Sequence, residues 1–332
     1  MIRVGLLGAG RIGSLHAENI ASHRGSTLNA VADIDDVSAN NLAAQFGAVV
    51  KSADEIISDP NIDAILIATS TDTHSDFIEK ASSAGKAILC EKPVDLSLGR
   101  AKECLNKVSA TNNPIMIGFN RRFDPNFAQL KKSLTDNEIG KSELLTITSF
   151  DPAPPPISYV KTSGGLYRDM MIHDFDLSNF IMDELPITIS AVGQSLINPE
   201  IGAAGDVDTA VVTMIYADGK IAVIKNSRRA AYGYDQRVEI LGSEGLLQAE
   251  NIVENSVVKS TSSGVLSAKP KYFFLERYMS AYKAEWNAFI KSLKENTIVP
   301  VTLVDGVAAL AMAEAATLSQ SSGKSIQLKE VL

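Results

Sequence analysis

Cysteine, histidine and tryptophan are all scarce in this sequence, which has two, four and one of them among 332 residues. Two cysteines, Cys90 and Cys104, are too few for a disulfide framework and indicate buried thiols in a reducing compartment. The four histidines lack the spacing to cysteine or carboxylate residues that a zinc site requires. We therefore expect a cytoplasmic protein with no metal requirement.

Long apolar runs and basic segments are also missing. No apolar run reaches the length of a membrane span, and the N-terminus leads directly into a predicted strand, so no signal peptide is expected. The net charge of −8, with no segment rich in lysine or arginine, argues against nucleic acid as a partner. The hydrophobic content of 45% is ordinary for a soluble protein, and the length is sufficient for two domains.

A glycine-rich turn near the N-terminus is the first informative feature. Residues 2–7 form a short apolar run typical of a buried strand, and Gly8, Gly10 and Gly13 follow, with a helical pattern from Arg11 onward. In dinucleotide-binding turns the first glycine makes the tight turn, the second lets the backbone approach a pyrophosphate, and the third lets helix and strand pack closely. The order strand, turn, helix indicates a nucleotide-binding Rossmann unit.

The helix and the next strand extend this pattern. Backbone N–H groups at Arg11 and Ile12 would face the phosphates at the helix N-terminus. A second predicted strand, residues 28–32, ends on Asp33, 20 residues beyond Gly13, where a carboxylate accepts hydrogen bonds from ribose hydroxyls. Two more aspartates follow and no basic residue does, so a 2′-phosphate would be repelled and the cofactor predicted is NAD. A glycine-rich turn in another kind of α/β protein is the alternative.

Polar residues follow the next predicted strand, residues 64–68. Thr69, Thr71 and His74 come after its carboxyl end, and such ends line the ligand crevice of open parallel sheets. We expect Thr71 and His74 to contact the nicotinamide half of the cofactor, and Thr69 to contact the cofactor as well. For His74, a structural hydrogen bond at the start of a helix is an equal alternative.

Lys92 lies between a predicted strand at residues 87–90 and Pro93. The residue before a proline is kept out of the α region, so Lys92 stays extended and directs its ammonium group toward the same crevice. An ordinary surface lysine is the alternative, but this position favours a functional role.

The order of predicted elements indicates the fold class α/β and two domains. Strands and helices alternate as far as residue 118, as a doubly wound parallel sheet requires. Beyond it, β-rich runs joined by short turns predict an α+β domain with a large, mainly antiparallel open sheet. We expect an NAD-binding Rossmann domain at residues 1–120 and a substrate-binding and oligomerisation domain at 121–332, whose last helix can pack back on the first domain.

Asp169 and His173 form the second informative feature. Their spacing of four places them on one face of a helix or turn, where the carboxylate would fix the imidazole tautomer and stabilise its cation. A single pair of this kind is more often structural than catalytic. Asp174 and Asp176, which follow, are interpreted as helix caps or surface acids.

Several segments together resemble the glucose–fructose oxidoreductase/inositol dehydrogenase (Gfo/Idh/MocA) superfamily over essentially the whole length. They are the glycine turn through His16, Glu91-Lys92-Pro93, the segment 118–124, Asp169-x-x-x-His173-Asp174 and the segment 232–235. The resemblance implies a Rossmann domain joined to an α+β domain with an open sheet. It also implies NAD, a catalytic set of Lys92, Asp169 and His173, and usually a homotetramer.

The resemblance also implies contacts for individual residues. Glu91 and Lys92 would contact the cofactor. The substrate would contact Lys92, Asn120, Asp151, Asp169, His173, Tyr234 and Tyr282. Ser149 stands where some members of the family have a histidine, which leaves the stereoisomer or the polyol open.

The reaction that the resemblance implies is NAD-dependent oxidation of a ring hydroxyl of a cyclic polyol, with myo-inositol converted to its 2-keto product. Scyllo-inositol or an aldose such as glucose is the alternative substrate. A non-catalytic NAD-binding sensor on the same fold is the alternative from another class.

Overall fold

The computed structural model describes residues 1–332, and the chain divides into two compact units. The first comprises residues 1–120 and 282–310, and the second residues 121–281 and 311–332. The assignment of NAD binding to residues 1–120, and of substrate binding and oligomerisation to residues 121–332, stays a prediction. Residues 282–310 group with the first unit because Trp286 Nε1 donates to Ser26 Oγ at 3.0 Å and Thr302 forms a β-bridge with Met116.

The first unit contains a six-stranded parallel sheet in the order β3-β2-β1-β4-β5-β6. Its strands are β1 (Ile2–Leu7), β2 (Ser26–Ala32), β3 (Val49–Val50), β4 (Ala64–Ile67), β5 (Ala87–Glu91) and β6 (Ile115–Gly118). The helices between them are α1 (Arg11–Ser22), α2 (Asp36–Phe46), α3 (Ala53–Ser58), α4 (His74–Ser83) and α5 (Leu98–Val108). Strand order reverses between β1 and β4, and ligands of such sheets bind outside the carboxyl ends at this switch point.

Local sequence explains where several of these elements begin and end. Val4, Leu6 and Leu7 are fully buried in β1, as expected for a parallel strand covered on both faces. Ser52 and Glu55 form a reciprocal capping box at the start of α3. Gly47 ends α2 in the left-handed conformation, with φ of 69°.

The second unit contains a seven-stranded sheet in the order β12-β11-β7-β10-β9-β8-β15, and a separate two-stranded hairpin, β13-β14. The strands are β7 (Ser142–Phe150), β8 (Thr188–Gln194), β9 (Thr209–Ile215), β10 (Ile221–Ser227), β11 (Asp235–Gly242), β12 (Gly245–Ala249), β13 (Val258–Thr261), β14 (Gly264–Ser267) and β15 (Ile326–Gln327). The remaining helices are α6 (Pro125–Thr135), α7 (Ile157–Val160), α8 (Gly165–Asp169), α9 (Ile172–Met182), α10 (Pro199–Ala203), α11 (Phe274–Glu295) and α12 (Leu303–Ser322).

All strand pairs of the larger sheet are antiparallel except β7 and β10, which are parallel. Burial alternates along β9, where Ala210, Val212 and Met214 face the core and Val211 lies on the exposed face. The predicted α/β class, with a parallel Rossmann sheet and a mainly antiparallel open sheet, is confirmed. No helix has the combined length and hydropathy needed to span a membrane.

Candidate active site

The three glycines of the N-terminal turn have different surroundings. Gly8 has φ of +101°, and a Cβ atom there would lie 2.3 Å from the carbonyl oxygen of Ala68. A Cβ at Gly13 would lie 2.0 Å from the carbonyl oxygen of Gly8. A Cβ at Gly10 would meet nothing within 4 Å. Packing therefore excludes a side chain at Gly8 and Gly13, whereas Gly10 borders open space, which is where a pyrophosphate would approach the backbone.

The N-terminus of α1 is free of side-chain caps, since Gly10 provides none. Arg11 and Ile12 are the first two residues of this helix, in the turn whose backbone N–H groups point out of the helix end. This arrangement fits the phosphates of a dinucleotide.

Asp33 follows β2 directly and supports the glycine turn. Its Oδ2 atom accepts a hydrogen bond from the Ala9 N–H at 2.5 Å, and its Oδ1 atom accepts one from the Asp35 N–H at 2.8 Å. Asp35 caps α2, and hydrogen bonds from the Ser38 hydroxyl and the Val37 N–H lower the pKa of its carboxyl group. The Asp33 carboxylate therefore contacts the glycine turn, and the Asp35 carboxylate lies two residues further on at the start of α2. This pair of negative charges suits ribose hydroxyls and disfavours a 2′-phosphate.

We expect Asp33→Asn to shift preference toward NADP, because it removes one negative charge yet keeps an acceptor for the Ala9 N–H. The ratio of kcat/KM with NADP to that with NAD should rise about tenfold, equivalent to ~1.4 kcal/mol. Steady-state kinetics with both cofactors measures this. An unchanged ratio would contradict the role assigned to the charge.

Thr69, Thr71 and His74 follow β4. The Thr69 and Thr73 hydroxyls are 2.7 Å apart, and Thr71 begins a 3-10 segment, Thr71–Thr73. The buried ring of His74 places Nδ1 2.8 Å from the Pro93 carbonyl oxygen and Nε2 3.1 Å from that of Thr69. Burial lowers the pKa of His74. The ring thus links the segment after β4 to the segment after β5. A contact between His74 and the cofactor stays a prediction.

Lys92 directly follows β5, and its peptide bond to Pro93 is cis. The preceding residue, Glu91, is buried and its Oε1 atom lies 2.7 Å from Nε2 of the fully buried His16. His16 also makes an edge-on contact with Tyr282, with ring centroids 5.7 Å apart. The structure therefore places Tyr282 in the first unit, next to the group that holds Glu91.

In the second unit, the ends of β7 and β10 bring a carboxylate and a guanidinium group together. The two strands are parallel, with Phe150 opposite Ser227, so the next residues, Asp151 and Arg228, leave the sheet side by side. Arg228 Nη1 lies 3.9 Å from Asp151 Oδ2, and Arg228 Nη2 donates to Asp169 Oδ2 at 3.3 Å. Two predicted site residues, Asp151 and Asp169, thus share one guanidinium group.

Asp169 ends α8 and His173 lies in the first turn of α9, so their spacing crosses a junction between two short helices. The Asp169 carboxylate is fixed by two donors: the Tyr159 hydroxyl at 2.9 Å on Oδ1, and Arg228 on Oδ2. The carboxylate predicted to orient His173 is therefore itself held in place.

The interpretation of Asp174 and Asp176 as caps or surface acids is wrong. Both are fully buried: Asp174 pairs with Arg121, and Asp176 pairs with Arg122 through Nη2 at 2.6 Å. Ser149 joins the first pair, with its hydroxyl donating to Asp174 Oδ1 at 2.6 Å. The arginine and the aspartate of each ion pair are about 50 residues apart in sequence, so the local sequence pattern does not indicate the pairing.

The remaining predicted substrate residues are buried. Asn120 begins the 3-10 segment Asn120–Phe123 at the end of the first unit's N-terminal stretch. Tyr234 packs edge-on against Tyr278, with ring centroids 6.0 Å apart, and burial raises the pKa of its hydroxyl. Lys92, Asn120 and Tyr282 belong to the first unit, and the other substrate residues belong to the second.

Sequence reasoning missed Arg228 and Tyr159. Arg228 directly follows β10, but its significance depends on the parallel pairing of β7 and β10, which the sequence does not indicate. Tyr159 lies in the short helix α7, for which the sequence gives no periodic signal.

Family models of oxidoreductases match most of the chain. One, described as an oxidoreductase family with an NAD-binding Rossmann fold, matches residues 2–119, and another, described as the C-terminal alpha/beta domain of the oxidoreductase family, matches residues 131–328. The chain belongs to the Gfo/Idh/MocA oxidoreductase family. The predicted resemblance and the predicted NAD cofactor are thereby confirmed.

Individual members of the Gfo/Idh/MocA family match the chain over its full length. The inositol 2-dehydrogenase of Rhizobium meliloti (strain 1021) is 45% identical over 98% of this chain and 99% of that protein. The myo-inositol 2-dehydrogenase of Thermotoga maritima is 42% identical over 100% of both. A structure of scyllo-inositol dehydrogenase from Lactobacillus casei with bound NAD(H) and scyllo-inositol has a TM-score of 0.92 at 29% identity, covering 99% of both chains.

Proposed function

We propose that this protein oxidises the C2 hydroxyl of myo-inositol to a ketone with NAD as the hydride acceptor. The observation that carries the proposal is the Asp169 carboxylate, fixed by Tyr159 and Arg228 four residues before His173. A carboxylate held in this way is suited to orient an imidazole that must accept a proton.

In the proposed reaction the ring carbon loses a hydride and its hydroxyl loses a proton. His173 takes the proton as general base, and Asp169 stabilises the imidazolium that results. Lys92 donates a hydrogen bond to the oxygen as it gains negative character, which stabilises the transition state more than the bound substrate. When bound, NAD supplies the redox chemistry by accepting the hydride.

The choice of myo-inositol is supported by the Thermotoga maritima relative, which is named myo-inositol 2-dehydrogenase and is 42% identical. The relative at 45% identity is named inositol 2-dehydrogenase, and two relatives named for scyllo-inositol are 35% and 29% identical. Asn120, Asp151, Tyr234 and Tyr282 are proposed to bind the ring hydroxyls. Their carboxylate, amide and phenol groups provide the donors and acceptors that a polyol requires. Scyllo-inositol and aldoses stay the alternatives.

We also propose a homotetramer, in the cytoplasm and in a polyol catabolic route. The exposed face of the larger sheet carries apolar side chains that a second copy of the chain would cover. They include Leu144, Val192, Val211, Ile215, Ile221, Leu241 and Leu246. Light scattering should give a mass four times that of one chain.

A polyol panel tests the function. Purified protein is mixed with NAD or NADP and with myo-inositol, scyllo-inositol or glucose, and formation of reduced cofactor is followed by absorbance. We expect the highest kcat/KM for myo-inositol with NAD. A higher value for another polyol would replace the substrate, and binding of NAD without turnover of any polyol would favour the non-catalytic sensor.

A further inference from the structure

Arg228 is a buried arginine that the proposed mechanism does not use directly. Its side chain is 2% exposed and its guanidinium group faces two carboxylates, with Nη2 3.3 Å from Asp169 and Nη1 3.9 Å from Asp151. Buried arginines of this kind are usually held by paired acids, and a planar fork of donors can reach both at once.

The backbone around Arg228 is fixed on both sides. The Asp151 N–H donates to the Ser227 carbonyl oxygen at 2.8 Å, which extends the parallel pairing of β7 and β10 by one step. The Arg228 N–H donates to the Asp208 carbonyl oxygen, also at 2.8 Å. The guanidinium group therefore projects from a rigid position at the end of two strands.

The positive charge of Arg228 affects the protonation of the carboxylates beside it. Burial raises the pKa of Asp151 to about 6, the Arg228 guanidinium opposes this rise, and repulsion from Asp169 adds to it. With one arginine between two acids, loss of the positive charge would leave the two carboxylates facing each other.

We propose that Arg228 is a positioning residue that holds Asp151 and Asp169 in a single arrangement, so that the acid contacting the substrate and the acid orienting His173 are set by the same group. This inference rests on the proposed function, since it gives a role to Asp169 and His173 in that reaction. It assigns Arg228 no contact with the reacting atoms.

Other groups also face this cluster and must be held constant. Tyr159 donates to Asp169 from α7. Asp206 interacts electrostatically with both Arg228 and Asp169, and burial raises its pKa. Arg121 and Asp174, themselves an ion pair, act on Asp151 with opposite signs. None of these groups is changed in the test.

The test compares Arg228→Met with Arg229→Met, because Arg229 is the adjacent residue and is exposed. We expect Arg228→Met to lower kcat with myo-inositol on the order of 10²-fold, as misplacement of catalytic groups does. Arg229→Met should leave kcat and KM within about twofold of wild type, as is usual for surface substitutions. NAD affinity should be unchanged in both, because neither variant changes a residue of the glycine turn or Asp33.

The pH dependence separates positioning from a merely structural role. In Arg228→Met the acid limb of kcat/KM should move to higher pH by about one unit, since unopposed negative charge favours bound protons. Adding Asp151→Asn removes one negative charge along with the positive one, so the acid limb should return toward wild type. If Arg228 had only a structural role, the losses of kcat in the two single variants would multiply in the double variant. The acid limb of the double variant would then not return toward its wild-type position.

Thermal unfolding gives a readout that needs no turnover. The penalty for a carboxylate with a raised native pKa is present above that pKa and disappears as pH falls toward the unfolded value. The loss of Tm caused by Arg228→Met should therefore be larger at pH 8 than at pH 5, and no such difference is expected for Arg229→Met.

A conservative variant protects the test against misfolding. Arg228→Lys keeps the positive charge but replaces the two Nη atoms, which face different carboxylates, with a single nitrogen on a flexible stem. It therefore holds the two carboxylates less strictly, and a smaller loss of kcat and a smaller shift of the same sign are expected. Wild-type kcat and pH dependence in this variant, or an unshifted acid limb in folded Arg228→Met, would overturn the inference. Failure of the wild-type protein to oxidise any polyol would instead refute the proposed function, and the Tm comparison would still report on the cluster.

Discussion

Replacing His173 with alanine should lower kcat for myo-inositol on the order of 10³-fold, within the range for loss of a general base, and NAD binding should be retained. The physical reason is that no other group is proposed to take the hydroxyl proton, whereas the glycine turn and Asp33 are untouched by the change. Reduced-cofactor absorbance measures turnover, and a fluorescence titration measures NAD affinity.

His23→Ala is the matched control for this prediction. His23 lies beyond the end of α1, where its Nε2 atom is 3.3 Å from Asn287 Oδ1, and it has no proposed part in the reaction. The control should keep its turnover. A His173→Ala enzyme within about threefold of wild-type kcat would show that another group is the base, since removing a general base costs far more than this.

The second large effect is expected at the glycine turn, where two similar substitutions should have different consequences. Gly13→Ala places Cβ 2.0 Å from the Gly8 carbonyl oxygen, so the turn must open. We expect a loss of about 3 kcal/mol in the free energy of unfolding and no measurable NAD binding.

Gly10→Ala is the partner of that experiment. Its φ of −71° suits alanine and its Cβ would meet nothing, so the free energy of unfolding should change by less than about 0.5 kcal/mol. NAD affinity should still fall at least about tenfold, ~1.4 kcal/mol, because the methyl group fills the space next to the backbone that the pyrophosphate approaches. Wild-type NAD affinity in Gly10→Ala, or wild-type stability in Gly13→Ala, would contradict these roles.

The first unit was largely predictable because its signals are local. The glycine turn, the strand before it and the helix after it lie within 22 residues, and Asp33 follows at a fixed spacing. The strand missed there, β3, has only two residues and both are exposed, so it has no apolar run to indicate it.

The second unit was less predictable because its key pairings are long-range. Its antiparallel hairpins could be predicted from β-rich runs joined by short turns. The parallel pairing of β7 and β10, in contrast, joins strands about 75 residues apart. That pairing creates the contact between Asp151 and Arg228. The β13-β14 hairpin was missed for another reason: all eight of its strand residues are exposed, so no alternation marks it.

The most direct test of hydride transfer from C2 to NAD uses myo-inositol that carries deuterium on C2. The protein is incubated with this substrate and NAD, and the reduced cofactor is analysed by mass spectrometry. We expect one deuterium atom in each molecule of reduced cofactor and a 2-keto product without the label. Reduced cofactor without deuterium, or no reduced cofactor at all, would contradict hydride transfer from C2.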